Sequence, residues 1–258
     1  MACGISFLSD NLVNDGVVTL TTGTENAQFP LSNVKNDATA VKFRSQENDV
    51  VMVIDVQQTR TMDTFAIHGD TNEELGLTSV SIKTSLTTDF SSSVAIPITL
   101  SAENLMGYEY IDPVSHRFVE ITMSGSGSFV EVSNIFIGER IELLQQNLSI
   151  SSFQYGFNDQ SSVSANKYGQ KFIDKRNKIK TLGGAVEFCI KAEQEELDEM
   201  FIRHGSSIPL WMIIDKQSDG MNSGEYKLTV YGYFNSMPTW TASGGQTYNT
   251  SVDVQQAG

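Results

Sequence analysis

The apolar residues of this 258-residue chain come in short runs of strand length, separated by Ser, Thr, Asn and Gly. That spacing constrains the fold more than any single motif. A run of four to eight residues closed by turn formers is a strand signal, and a series of them specifies an all-β core. Ser and Thr together number 50 and Pro only 5, which suits a β-rich chain with many turns.

The first half reads as strands throughout. Val50–Val56 (VVMVIDV) is mostly apolar, and Thr64–His68 (TFAIH) follows after a polar QQTRT turn. Ser79–Ser85 (SVSIKTS) alternates strictly, with Val80 and Ile82 on one face. Ala95–Leu100 carries Pro97, which cannot donate to a ladder and so predicts an edge. Arg117–Met123 alternates again, the GSGS stretch turns the chain, and Phe129–Val132 and Ile135–Gly138 complete the set. This predicts a β-sandwich, with at most a short helical turn at Phe29–Asn36.

The second half is mixed. Phe153–Phe157, Gly184–Ile190, Ile208–Asp215, Tyr226–Phe234 and Tyr248–Val254 are strand candidates. Between them lies KAEQEELDEMFIRH, residues 191–204. Leu197, Met200, Phe201 and His204 stand at i, i+3, i+4 and i+7, one face of a helix. Acids fill its first turns, Arg203 and His204 its last, and Gly205 supplies a C-cap. Packing predicts Leu197, Met200 and Phe201 against a sheet face made by Val186, Phe188, Trp211 and Ile213.

Charge divides the chain in the same place. Residues 1–142 hold 7 basic and 19 acidic residues, a balance of −12; residues 143–258 hold 10 and 12, a balance of −2. Two domains are expected, 1–142 and 148–258. An overall charge of −14 opposes nucleic-acid binding across the whole surface. No apolar stretch reaches 18 residues, so no membrane-spanning helix and no membrane partner is expected. The opening MACGISFLSD lacks a basic start and a long apolar run, so a cytoplasmic product without secretory leader is expected. Cys3 and Cys189 are too few and too far apart for a disulfide framework.

Catalytic chemistry finds little footing. His68, His116 and His204 are scattered, and no nucleophile elbow, HExxH or P-loop occurs. Cys189 with one of these histidines has only residue type in its favour. Glu195, Glu196, Asp198 and Glu199 read as a solvated helix face. Asp215–Gly220 resembles the start of a calcium loop but has Gln217 at the third position and Tyr226 at the twelfth, so it reads as a hairpin turn. No enzyme activity, no cofactor and no metal is expected. Lys167, Lys171, Lys175, Arg176, Lys178 and Lys180 form the sole basic cluster, read as a loop between two strands, mobile in the monomer. It is either a solvated loop, a DNA contact, or a surface that docks on an acidic neighbour. Tyr108, Tyr110 and Phe90 are candidates for sugar platforms or for core.

Two stretches carry a family resemblance. Phe29-Pro-Leu-Ser-Asn-Val-Lys-Asn-Asp37-Ala-Thr39 continues to Phe43-Arg-Ser45, and Arg117-Phe-Val-Glu-Ile121 leads through Phe129–Val132 to Ile135-Phe-Ile-Gly138-Glu-Arg140. Together they resemble discoidin-type, galactose-binding-like jelly rolls, with Phe43 where Trp is common and no flanking disulfide. The same ending, and the Phe-Pro-Leu-Ser-Asn opening, are similar to domains of tailed-phage tail proteins. The second half resembles, more loosely, the tail-tube-type domain of distal-tail ring proteins, through Gly184–Ile190, the helix to His204, and Ile208-Pro-Leu-Trp-Met212. The resemblance implies a mostly β protein: an N-terminal jelly-roll sandwich followed by a β-rich, tail-tube-like α+β domain with one helix. It also implies a non-enzymatic virion component. As such it would form a homo-oligomeric ring at the distal tail, join other phage tail proteins or fibres, and touch DNA at most transiently. The alternative it implies is a carbohydrate-binding module for host surface glycans. Some discoidin-like loops hold calcium, which places Asp37 among the candidates.

Overall fold

In the computed structural model, residues 4–69, 76–101, 106–143, 154–176, 178–215, 228–245 and 247–257 are described. The expected class holds: the chain is mostly β, with one helix longer than a turn or two among the described residues. Its strands form two large antiparallel sheets.

The first sheet has seven strands among the described residues. Its spine is a pair of 20-residue strands, Asp49–His68 and Met106–Gly125. Asn134–Gly138 and Val17–Thr22 flank the former; Leu77–Ser85 flanks the latter. Ile96–Pro97 lies last in the order, so Pro97 is at an edge as expected. The two runs predicted as separate strands, Val50–Val56 and Thr64–His68, are one strand. The polar segment between them is no turn but a bulge, with register shifts between Asp55 and Arg60 and between Met62 and Thr64. Gln57 takes φ 68° there. The bulges bend the ribbon and switch which residues face inward. Val50, Met52, Ile54 and Met62 are buried in one core with Phe65 and Ile67, so even positions give way to odd ones. The expected helical turn is present at Leu31–Lys35, beside a four-residue helix at Leu12–Asp15.

The second sheet runs, edge to edge, Arg140–Leu143, Gly4–Leu8, Leu210–Asp215, Thr229–Phe234, Thr247–Gln256, Lys178–Ile190, Gln154–Asp159. The boundary expected at residue 142 therefore cuts through a sheet. The first strand, Gly4–Leu8, pairs with Leu210–Asp215 on one side and Arg140–Leu143 on the other. The first sheet is thus an insertion between two neighbouring strands of the second. The stretch between the two expected domains, residues 143–147, lies outside the described residues except for Leu143.

The helix is Lys191–His204, as its periodicity predicts. Glu193 reaches back to accept the Ile190 N–H at 2.9 Å, and Gly205 turns the chain at φ 51° while donating to the Phe201 carbonyl. Leu197, Met200 and Phe201 pack with Val186, Leu210, Met212, Ile214, Val230 and Phe234. Two of the four predicted partners are on the opposite face: Trp211 and Ile213 point the other way, into a third cluster with Leu8, Ala66, Tyr108, Phe136 and Tyr231. Phe188 is outside the cluster; it is 56% exposed, thrown out at a bulge with φ 61°. The third cluster joins the two sheets, so the second sheet is covered on both faces.

Candidate functional site

The strand Leu77–Ser85 ends in a loop that local side chains hold in shape. Ser85 Oγ accepts from the Thr87 N–H and donates to the Asp89 carbonyl. The Asp89 carboxylate accepts the Ser91 N–H at 2.9 Å, which holds its pKa below the usual carboxylate value. Phe90 plugs the loop into the core, and Ser93 Oγ donates to the Thr84 carbonyl at 2.8 Å. Between this loop and the neighbouring strand Met106–Gly125 lies a cleft of about 510 Å³. Its walls carry hydroxyls from Thr84, Ser85, Ser92 and Ser93, the aliphatic side chains of Leu86, Val94 and Ile96, and the imidazole of His116. Leu86 is 58% and Val94 80% exposed. His116 Nδ1 is 2.7 Å from Thr84 Oγ1, which fixes the ring's orientation. No charged group lines the cleft. The His116–Thr84 pair therefore lacks the carboxylate that orients the base of a triad.

The other histidines are structural. His68 is buried between the sheets, its ring 5.7 Å from Trp211 and 5.6 Å from Tyr231. His204, on the helix face that packs inward, has Nδ1 at 3.2 Å from both the Ile208 and Pro209 carbonyls, so it is a donor there. Burial pushes its pKa below the ordinary histidine value. Asp37 lines the same small cavity of about 30 Å³, roughly the room one water needs. Burial raises its pKa against the opposing pull of Asn14 and His204. Tyr231 donates its hydroxyl to the Asp37 backbone carbonyl at 3.1 Å. The cavity lies where the two sheets meet, and among the described residues no cluster of three or more His, Cys, Asp or Glu is placed to hold a metal ion.

Cys189 is buried in its strand, and burial, then Glu193, pushes its thiol up to about 11, so it is no nucleophile at neutral pH. The helix acids are not all solvated. Asp198 accepts from Trp240 Nε1 at 2.5 Å and from Gln194, while Glu196 is partly buried, which, with Glu193 and Glu199 nearby, raises its pKa. Glu196 and Glu199 face Arg60, Arg140 and Arg203 across a polar cleft of about 330 Å³, where Asp10 meets Arg203 at 3.3 Å and Arg60 at 3.6 Å. The calcium-loop-like segment after Asp215 lies outside the described residues. Tyr108, Tyr110 and Phe90, the candidate sugar platforms, are all buried core.

The basic cluster is not a loop. Gln154–Asp159 pairs with Lys178–Ile190, and beyond it Ser162–Ala165 pairs with Lys171–Asp174, making one long hairpin. Asn166 builds the tip: its side-chain oxygen accepts the N–H groups of Tyr168 and Gln170, and Gly169 takes φ 80°. Lys167, Lys171, Lys175, Arg176 and Lys178 are exposed on this arm. Lys180 is not; it is buried and donates Nζ to the Thr229 carbonyl at 2.6 Å. Sequence reasoning missed the cleft because its residues look like ordinary turn formers, and the arm's aromatics because Tyr155 and Phe157 fall in a strand candidate and Phe172 in a stretch read as a loop.

No protein-family model matches the chain and no curated protein sequence matches it. Solved structures similar to part of it include a CBM32-1 module from a family 31 glycoside hydrolase of Clostridium perfringens, at 14% identity and TM-score 0.41, covering 51% of this chain and 99% of that one. A fucose-binding module of Streptococcus pneumoniae matches at 13% identity and TM-score 0.42, over 50% and 98%. The family 32 CBM of C. perfringens NanJ, solved with galactose, matches at 16% identity and TM-score 0.40, over 52% and 98%. At this similarity no residue role carries over. None of these three is described as a tail protein, so the expected tail identity finds no support among them.

Proposed function

We propose that the protein is a non-catalytic binding protein whose first sheet takes a neutral, hydroxyl-rich ligand, a glycan, in the Thr84–His116 cleft. The carrying observation is the cleft's lining: hydroxyls and a tethered imidazole around aliphatic side chains, with no charge. Such a surface offers a sugar hydrogen bonds for its hydroxyls and apolar contact for its C–H faces. The aromatic platform that would strengthen stacking is absent from the lining, so affinity is set low, with Kd on the order of 1 mM, about −4 kcal/mol. Calorimetric titration with galactose and with fucose tests this. His116→Ala should weaken binding about tenfold, the loss of one hydrogen bond to a ligand. Absence of binding by either sugar to the folded parent would sink the reading.

A second reading is an assembly role, as a ring-forming virion component of a phage tail that joins tail proteins or fibres. The observation favouring it is the exposed basic arm. Mass measurement of the full chain in solution tests it.

A further inference from the structure

The arm is a two-stranded ribbon without a core of its own. Among the described residues every position of Ser162–Ala165 and Lys171–Asp174 is exposed. Strand alternation puts directly paired Val163 and Ile173 on one face and Phe172 on the other. These side chains are 63%, 67% and 58% exposed, and Tyr168 at the tip is 78% exposed. An isolated hairpin is marginal in water unless something covers a face, and here both faces carry apolar groups with nothing over them. At the base, Gln154–Asp159 is the last strand in the order of the second sheet, so its outer edge has no partner strand among the described residues. Tyr155 and Phe157 stand about half exposed on it.

Charge favours one kind of partner for the arm. Residues 154–180 hold six basic and two acidic residues, a balance of +4; the whole chain is at −14, so the remaining 231 residues are at −18. A second copy of this chain therefore offers the arm a strongly opposite field as well as apolar cover, whereas the arm's own charge sets it apart from the rest of its chain.

We propose that the 154–180 arm is a self-association element: its apolar ribbon and its exposed lysines and Arg176 dock on the acidic surface of a second copy. The inference rests on the assembly reading and deepens it by naming the element that makes the contact. It leaves the glycan cleft untouched, since no arm residue lines that cleft. A contact from one patch to a different patch on the next copy is heterologous, and rotation decides whether it closes into a ring.

Sedimentation of the full chain across concentration, at about 50 mM and about 500 mM salt, tests it. The parent should associate, and high salt should raise the dissociation constant about tenfold. Lys175→Glu, Arg176→Glu and Lys178→Glu together should raise it at least tenfold at low salt, with thermal unfolding unchanged because no core residue is altered. A second variant, Phe172→Ser with Ile173→Thr, should weaken association at both salts alike. A parent that stays monomeric throughout overturns the inference and the homomeric assembly reading together. Association that persists unchanged in both variants overturns the inference alone and moves the contact elsewhere. A labelled DNA duplex measured in the same series covers the remaining occupant. Charge-dependent DNA binding by the arm, with self-association untouched by the variants, also overturns it.

Discussion

Truncating Phe201 to alanine removes the central knob of the helix from the second sheet. Phe201 is 2% exposed, its ring stands edge-on to Phe234 at 5.2 Å, and Trp240 lies 6.1 Å away. Losing a fully buried phenylalanine costs about 3–5 kcal/mol, and the edge-to-face contact adds about 0.5–1.5 within that range. A loss of about 4 kcal/mol is a large fraction of a normal domain's stability. Phe188→Gly is the matched contrast, thirteen positions earlier. That side chain is 56% exposed and its φ of 61° is a strained region for any residue but glycine. Substitution there releases about 1 kcal/mol of strain, offset in part by the greater freedom of the unfolded chain, so stability should move by less than about 1 kcal/mol. Urea unfolding followed by circular dichroism and by the fluorescence of Trp211 and Trp240 measures both. A cost below about 1 kcal/mol for Phe201→Ala would refute the packing assigned to the helix. A cost above about 2 kcal/mol for Phe188→Gly would mean that Phe188 is packed.

Lowering the pH from 7.5 to 5.5 should reduce stability through His204: its folded pKa is depressed, so the unfolded chain binds more protons once pH falls through about 6.5, and folding loses that free energy. Asp37, whose folded pKa is raised, acts with the opposite sign nearer its own range. His204→Asn keeps a donor for the Ile208 and Pro209 carbonyls, and the shift of the urea midpoint between these pH values should shrink in it; an unchanged shift would discharge His204 from the effect. Lys180→Ala should destabilise by about 1–3 kcal/mol, because it leaves the buried Thr229 carbonyl without that donor, whereas Lys171→Ala on the arm should be within about 0.5 kcal/mol. Gly232→Ala should cost about 3 kcal/mol or more, since a Cβ there falls 1.9 Å from the Gln255 carbonyl oxygen; Gly127→Ala, with nothing within 4 Å, is the thermal-melt control.

Periodicity alone was enough for the helix and for the strands that alternate. The i, i+3, i+4, i+7 face of residues 191–204 and Gly205 after it define the helix, and Val80 and Ile82 alternate inward as their spacing requires. Local patterns encode local hydrogen bonding, which is why these are legible. The faces of Leu210–Asp215 were not, because Leu-Trp-Met-Ile-Ile is apolar at every position and both sides of the strand are buried; no alternation exists to read. The polar Gln57–Arg60 stretch looked like a turn because a bulge carries the same residues as a turn, and only the long partner strand Met106–Gly125 decides between them. The cleft was equally hidden. Thr84 and His116 meet because two strands set in register bring together positions 32 residues apart, and serines in a loop give no sign of it. Backbone ladders, finally, carry no residue code: nothing in Gly-Ile-Ser-Phe-Leu says that it pairs with residues some two hundred positions away rather than with its neighbours. The sequence therefore determined the helix, the strands whose apolar runs are long or alternate, and the concentration of basic charge between 167 and 180. Which sheet Gly4–Leu8 joins, where the inserted sheet begins, and that the basic stretch stands out as an arm were decided by pairing and packing between distant segments, which only the folded chain brings into contact.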